Sequence, residues 1–263
     1  MRASTVIAYA LIGLLAVLIT CVAFLPVGTA DWALERMTAG RLRLANTSGT
    51  VWNGQGRLVL ADVTGITAEA SAGSRSLQGL VIPGRLTWQV RPLPLLMGIV
   101  DATVTLDGMS QPLRLTGSFG ELRVSGARLD LPSVDLGRLG SPWNTIRPSA
   151  GVGFQWDGFT IRQGLFEGRM SVELREAASA VSPVRPLGSY KVDVVSSGPK
   201  ADVSLSTLQG PLRLTGNGNW TGRGGLSFTV QAESEPRERE RLSGLLSLVG
   251  RREGERVIIK IGA

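Results

Sequence analysis

The order of apolar and polar positions changes character once along the chain. Val6 to Leu25 is an apolar run without a charged residue. At about 1.5 Å per helical residue it is long enough to cross the roughly 30 Å hydrocarbon layer of a bilayer. Only a helix satisfies its own backbone polar groups there. The run therefore predicts a single transmembrane anchor, with Val6, Leu14 and Leu25 along it and Trp32 at the interface just beyond. From Arg41 onward the period becomes two. Val100, Ala102, Val104 and Leu106 alternate with Asp101, Thr103, Thr105 and Asp107; Met170, Val172 and Leu174 with Ser171, Glu173 and Arg175; Leu226, Phe228, Val230 and Ala232 with Ser227, Thr229, Gln231 and Glu233. Such alternation marks strands with one buried face. Asp107-Gly108, Asp157-Gly158 and Asn217-Gly218 have the composition of hairpin turns. The expected fold is mainly β: a single N-terminal transmembrane helix followed by an elongated antiparallel β-sheet body.

Three stretches depart from the strand period. Leu34, Met37 and Leu42 suit a short amphipathic helix ended by Gly40. Leu131 to Thr145 mixes Pro, Gly and Leu without a period, and does not fit a strand. Pro236 to Val249 opens with alternating Arg and Glu and then sets Leu242, Leu245, Leu246 and Leu248 at helical spacing, so it predicts a helix, after which Arg256 to Ile261 closes the chain as a strand.

The body repeats itself. Gly49-Thr50-Val51-Trp52-Asn53-Gly54 is echoed by Gly153-Phe154-Gln155-Trp156-Asp157-Gly158, and Pro112-Leu113-Arg114-Leu115-Thr116-Gly117 returns unchanged from Pro211 to Gly216. Between them Leu86-Thr87-Trp88-Gln89-Val90 lies opposite Gly188-Ser189-Tyr190-Lys191-Val192. Three anchors in one order at similar offsets point to duplication, with shared turn chemistry as the alternative. The expected organisation is a tip and anchor over 1–30, one β repeat over 31–145, and a second over 146–263 with the C-terminal helix and strand. Trp52 with Gly54 and Trp156 with Gly158 read as buried aromatics leading into turns, or alternatively as exposed contact points for a partner. Pro112, Pro211 and Trp88 complete the set of candidate structural or interaction residues.

Composition narrows the chemistry. The chain has no His, and its one Cys, Cys21, lies in the apolar run, so the commonest general base, the commonest metal ligand and any internal disulfide are missing. No phosphate-binding loop occurs, and Asp101 and Asp107 fall on the solvent face of a strand. Catalysis, a metal and a cofactor are not expected. Against 21 Asp and Glu stand 28 Lys and Arg, a formal charge of +7. Arg2 ahead of the apolar run keeps the N-terminus in the cytoplasm and puts the body outside it; a signal peptide cleaved near Gly28-Thr29-Ala30 would deliver the same body to the same side. There nucleic acid is not the partner, and the excess charge is read as plain surface charge, with attraction to anionic headgroups or an acidic protein as the alternative.

These features together resemble the type II secretion system protein N family. The resemblance rests on the N-terminal anchor, Gly49 to Gly54, Leu86-Thr87-Trp88 leading into Leu95-Leu96-Met97-Gly98, Leu187 to Tyr190, Gly210 to Gly216 and Leu245 to Gly250. It implies a non-enzymatic, single-pass inner-membrane protein with its β-rich body in the periplasm. Its partners would be other components of the machine that exports folded proteins across the outer membrane. A second likeness, to AsmA-type and bridge-like lipid carriers, implies lipid in a β groove. A continuous apolar groove favours that carrier; a filled core with polar edges favours a scaffold.

Overall fold

The computed structural model describes residues 13–14, 17, 20–38, 40–61, 79–135, 143–221, 225–254 and 256–262. Among them, fifteen strands form one antiparallel sheet. In chain order these are β1 (Leu42–Gly49), β2 (Asn53–Ala61), β3 (Gly79–Val81), β4 (Leu86–Val90), β5 (Ile99–Leu106), β6 (Leu113–Ser118), β7 (Glu121–Asp135) and β8 (Pro148–Arg162). They continue as β9 (Leu165–Ser179), β10 (Gly188–Gly198), β11 (Lys200–Gln209), β12 (Leu212–Thr221), β13 (Gly225–Ser234), β14 (Arg251–Glu253) and β15 (Arg256–Ile261). Neighbours in sequence are neighbours in the sheet from β4 to β13; β3 pairs only with β2, and β15 lies between β13 and the edge strand β14. Among the described residues, the helices that follow the apolar run are α1 (Gly28–Met37), α2 (Pro92–Leu96), α3 (Trp143–Ile146) and α4 (Arg239–Val249).

The period-two pattern becomes two faces through register. One cross-strand row reads Leu129, Phe154, Val172, Val192, Leu205, Gly216, Val230, Ile259, without a polar side chain from β7 to β15. One residue along, the next row reads Arg128, Gln155, Ser171, Asp193, Ser204, Asn217, Thr229, Lys260. A slip of one residue in any pair would exchange the faces, so the apolar row itself fixes the register. On the N-terminal side the apolar face continues through Leu115 and Ala102 to Val90, and through Leu113 and Val104 to Trp88.

Two apolar clusters lie on this face. At the C-terminal end α4 buries Leu242, Leu245 and Leu246 against Val184, Leu187, Leu212, Ala232 and Val257. Leu242 is fully buried, which contributes about 1.5–3 kcal/mol. Further along, Leu131 and Val152 are packed by Ile82, Leu129, Phe154, Val172 and Leu174.

The open edges are closed by side chains. The outward N–H of Leu44 donates to Asp31 Oδ1 at 2.7 Å and that of Leu42 to Thr38 Oγ1 at 3.1 Å, so α1 and the residue after it occupy the edge of β1. Arg43 joins the two elements through Asp31 at 3.2 Å and Glu35 at 3.1 Å. At the far edge β14 is three exposed residues, Arg251, Arg252 and Glu253. Short, charged or covered edges of this kind resist pairing with another chain.

The helix expected over Pro236 to Val249 is present as a 3-10 turn, Pro236–Glu238, followed by α4. Other expectations need correction. Leu131 to Asp135, which do not fit the strand period, are the end of the 15-residue strand β7; residues 136–142 lie outside the described residues. Asp157-Gly158 and Asn217-Gly218 lie inside β8 and β12, whereas Asp107-Gly108 is a turn after β5. Among the described residues no helix is long and apolar enough to cross a membrane; Val6 and much of the run to Leu25 lie outside them.

Removing the Asp31 carboxylate leaves the Leu44 N–H and the Arg43 guanidinium short of a partner. Asp31→Ala is expected to lower the unfolding free energy by about 1–3 kcal/mol and to promote association through β1, read as a shifted denaturant midpoint with increased light scattering. Asp31→Asn, which retains an acceptor, should lose less.

Candidate functional site

The aromatic residues singled out in the sequence are held by one repeated contact, an indole N–H donated to a main-chain carbonyl. Trp88 in β4 donates to the Val51 oxygen at 3.1 Å and is buried. Trp52, in the turn between β1 and β2, donates to the Val22 oxygen at 2.7 Å, and its own carbonyl accepts the Val90 N–H at 2.6 Å. Trp156 in β8 donates to the Ser125 oxygen at 2.8 Å. Trp52 and Trp156 are half-buried, the first at the rim of the sheet and the second inside a long strand, so the structure does not bring them together. Trp156 leads into a β-bulge between Trp156 and Phe159, where Gly158 has φ +110°. Pro112 and Pro211 each immediately precede a strand, β6 and β12. Leu14 and Trp32 are exposed, and Val6 lies outside the described residues.

Tyr190 is the third residue of β10, as Trp88 is of β4. It is buried, its hydroxyl donates to the Leu212 oxygen at 3.0 Å, and burial pushes its pKa up, so it remains a donor across the ordinary pH range.

Glycine and aromatic residues face each other across strands on the apolar side. Gly54 pairs with Trp88, Gly168 with Phe159 and Gly218 with Phe228. A Cβ at Gly54 would overlap the Trp88 ring, and one at Gly218 would meet Phe228 Cδ2 at 2.8 Å. Each glycine makes space for a ring that covers what would otherwise be bare backbone.

The opposite face is laid with ion pairs. Asp130 accepts from Arg175 at 2.6 Å, Glu121 lies between Arg123 at 3.1 Å and Arg162 at 3.4 Å, Asp193 pairs with Lys191 at 3.1 Å and Glu233 with Arg256. These side chains are substantially exposed, so each pair adds about 0–1 kcal/mol and the array acts through its pattern rather than its strength. The Arg123 hydrogen bond, and then the Arg162 charge, hold the Glu121 carboxyl below its ordinary pKa. For Asp193, burial pushes the pKa up, but the Ser171 hydroxyl at 2.5 Å and the Lys191 ammonium outweigh it and the net shift is downward. Among the described residues no three His, Cys, Asp or Glu side chains are grouped as a metal site would need. Two extended faces of opposite character can bind; they do not assemble an acid, a base and a nucleophile around one point.

Residues 40–259 match the family described as type II secretion system (T2SS), protein N. That span begins just before β1 and ends within β15, so it takes in almost the whole sheet. No curated protein and no solved structure matches the chain.

Three outcomes follow from this geometry. Trp88→Ala should cost about 3–5 kcal/mol in chemical denaturation, and Trp88→Phe, which keeps a ring but removes the donor, nearer 1 kcal/mol. Gly54→Ala should destabilise the parent more than it destabilises Trp88→Ala, because the ring it collides with is then absent. For Asp193 the folded pKa lies below the ordinary 3.8, so its contribution is present above that value and lost as pH falls through the folded pKa. Denaturant midpoints of the parent and Asp193→Asn should therefore differ modestly at neutral pH and converge in acid.

Proposed function

Because the chain belongs to the type II secretion system protein N family, a structural component of the secretion machinery and not an enzyme, we propose that its β body is an interaction module that positions other secretion components at the inner membrane. Val6 to Leu25 anchors it there, with Trp32 at the interface, and the body from Asp31 onward lies in the periplasm. The observation that supports this reading is the polar face: a row of hydroxyl, amide and acidic side chains with a basic residue at each end, exposed or half-buried over many strands and fixed in register by the apolar row beside it. Such a face specifies partners through charge complementarity at little cost to the fold.

The halves 31–145 and 146–263 are read as descendants of one unit, supported by the matched placement of Trp88 and Tyr190 and of the two Pro-Leu-Arg-Leu-Thr-Gly strands. Their boundary lies between β7 and β8, which pair along most of their length, so both halves share one sheet.

A second reading, a lipid carrier, is favoured by the continuity of the apolar face, on which Val203 and Leu205 are only half-buried. Photo-crosslinking in cells separates the two, since Ser204 and Leu205 are adjacent in β11 but face opposite ways. A crosslinker at Ser204 is expected to capture protein components of the secretion machinery. Capture of phospholipid at Leu205, with Ser204 free of protein adducts, would replace the scaffold reading with the carrier.

A further inference from the structure

One rim of the sheet differs from the other. Along it lie the turn between β1 and β2, the loop from β4 to β5, the β6–β7 and β8–β9 turns, and the end of β15. The end of the apolar run meets the sheet at this rim, whereas β1 starts from the opposite one. Val51 N–H donates to the Leu25 oxygen at 3.1 Å, Pro26 bridges Thr50, and Trp52 reaches Val22, so no linker separates the end of the apolar run from the sheet. Next along the rim, Pro92 to Val100 is uncharged and contains α2. Ile99 pairs with Ser118, which places Phe119 beside that loop. Leu93, Leu96, Met97 and Phe119 are 74%, 82%, 79% and 78% exposed. The opposite rim bears Asp107, Ser110, Gln111 and Pro112 at its β5–β6 turn, all exposed.

Exposed leucines scattered singly need no explanation, but four large, nearly bare apolar side chains side by side do. Their place in the fold says what covers them. With strands about 4.8 Å apart, the β4–β5 loop and Phe119 stand within about 20 Å of Leu25. If Leu25 ends a membrane-spanning run, the rim hydrogen-bonded to it is held at the bilayer surface. Arg91, Arg123 and Arg162, ion-paired with Asp101 and Glu121, stand just behind the rim, at the depth where long basic side chains meet lipid phosphates.

We infer that the β4–β5 loop and Phe119 form a second membrane contact, inserting Leu93, Leu96, Met97 and Phe119 into the headgroup region of the bilayer that holds the anchor. The sheet then stands on the membrane by one rim, with its strands rising from the surface. This rests on the anchor reading and is independent of whether the body acts as scaffold or carrier.

The test uses the full chain with Cys21→Ser and one new cysteine, Leu96→Cys or Gln111→Cys, labelled with a polarity-sensitive fluorophore. Each variant is reconstituted into vesicles of phosphatidylethanolamine and phosphatidylglycerol and recovered by flotation. The Leu96 label should emit at shorter wavelength and be quenched severalfold more by a shallow lipid-borne quencher than by aqueous iodide, with the Gln111 label showing the reverse. Adding Leu93→Asp should reduce the lipid quenching without changing the melting temperature, since Leu93 is exposed. A floated chain whose Leu96 label is as open to iodide as the Gln111 label overturns the contact alone; failure to float overturns it together with the anchor. Shielding of Leu96 only when other secretion components are co-reconstituted would assign the rim to a protein instead.

Discussion

Among the described residues there is no second sheet, so an open sheet of this width must keep one face away from water by other means, and most of the structure follows from that constraint. In a sandwich two such faces bury each other. Here α4 covers the C-terminal end, and Ile82 with the large side chains of β7 to β9 closes over Leu131 and Val152. Elsewhere the face shields itself through cross-strand packing: Trp88 over Gly54, Phe228 beside Gly218, Phe159 against Gly168. The glycines let rings lie flat against the sheet, so one layer of side chains does part of the work of two.

The same constraint makes the edges hazardous, because an open sheet presents unpaired N–H and C=O groups at both ends. At the first edge the answer is a polar residue in the right place: Asp31 takes the Leu44 N–H while holding Arg43. At the last it is brevity and charge in β14. The helix after the apolar run therefore protects an edge as well as connecting two regions.

The fold was largely legible because an antiparallel sheet with one wet face writes its register into a period of two. β5, β9 and β13 follow the alternation of their side chains, and α4 follows its four leucines. Glycine was harder to interpret. Asp107-Gly108 and Asn217-Gly218 have the same turn composition, yet the first bends the chain while the second seats a ring from the next strand; the difference lies in Phe228, which is distant in sequence. The same holds for Asp157-Gly158, whose bulge serves Trp156. Leu131 to Asp135 looked irregular because Pro132 and Ser133 interrupt the pattern at a shift in register between β7 and β8. The family could be recognised from short motifs in order, but the exposed rim could not, since nothing in the letters Leu-Pro-Leu-Leu-Met says whether they point into a core or away from it.

The ordered polar face and the apolar face are the two sides of one sheet. Among the described residues a single dry face runs through it, including strands that no helix covers. Reactivity of single cysteines toward a water-soluble thiol reagent along β6, in the Cys21→Ser chain, tests this most directly. Positions 114 and 116, with exposed Arg and Thr in the parent, should react rapidly, and positions 113 and 115, with half-buried Leu, many times more slowly. Equal rates at all four would contradict the account.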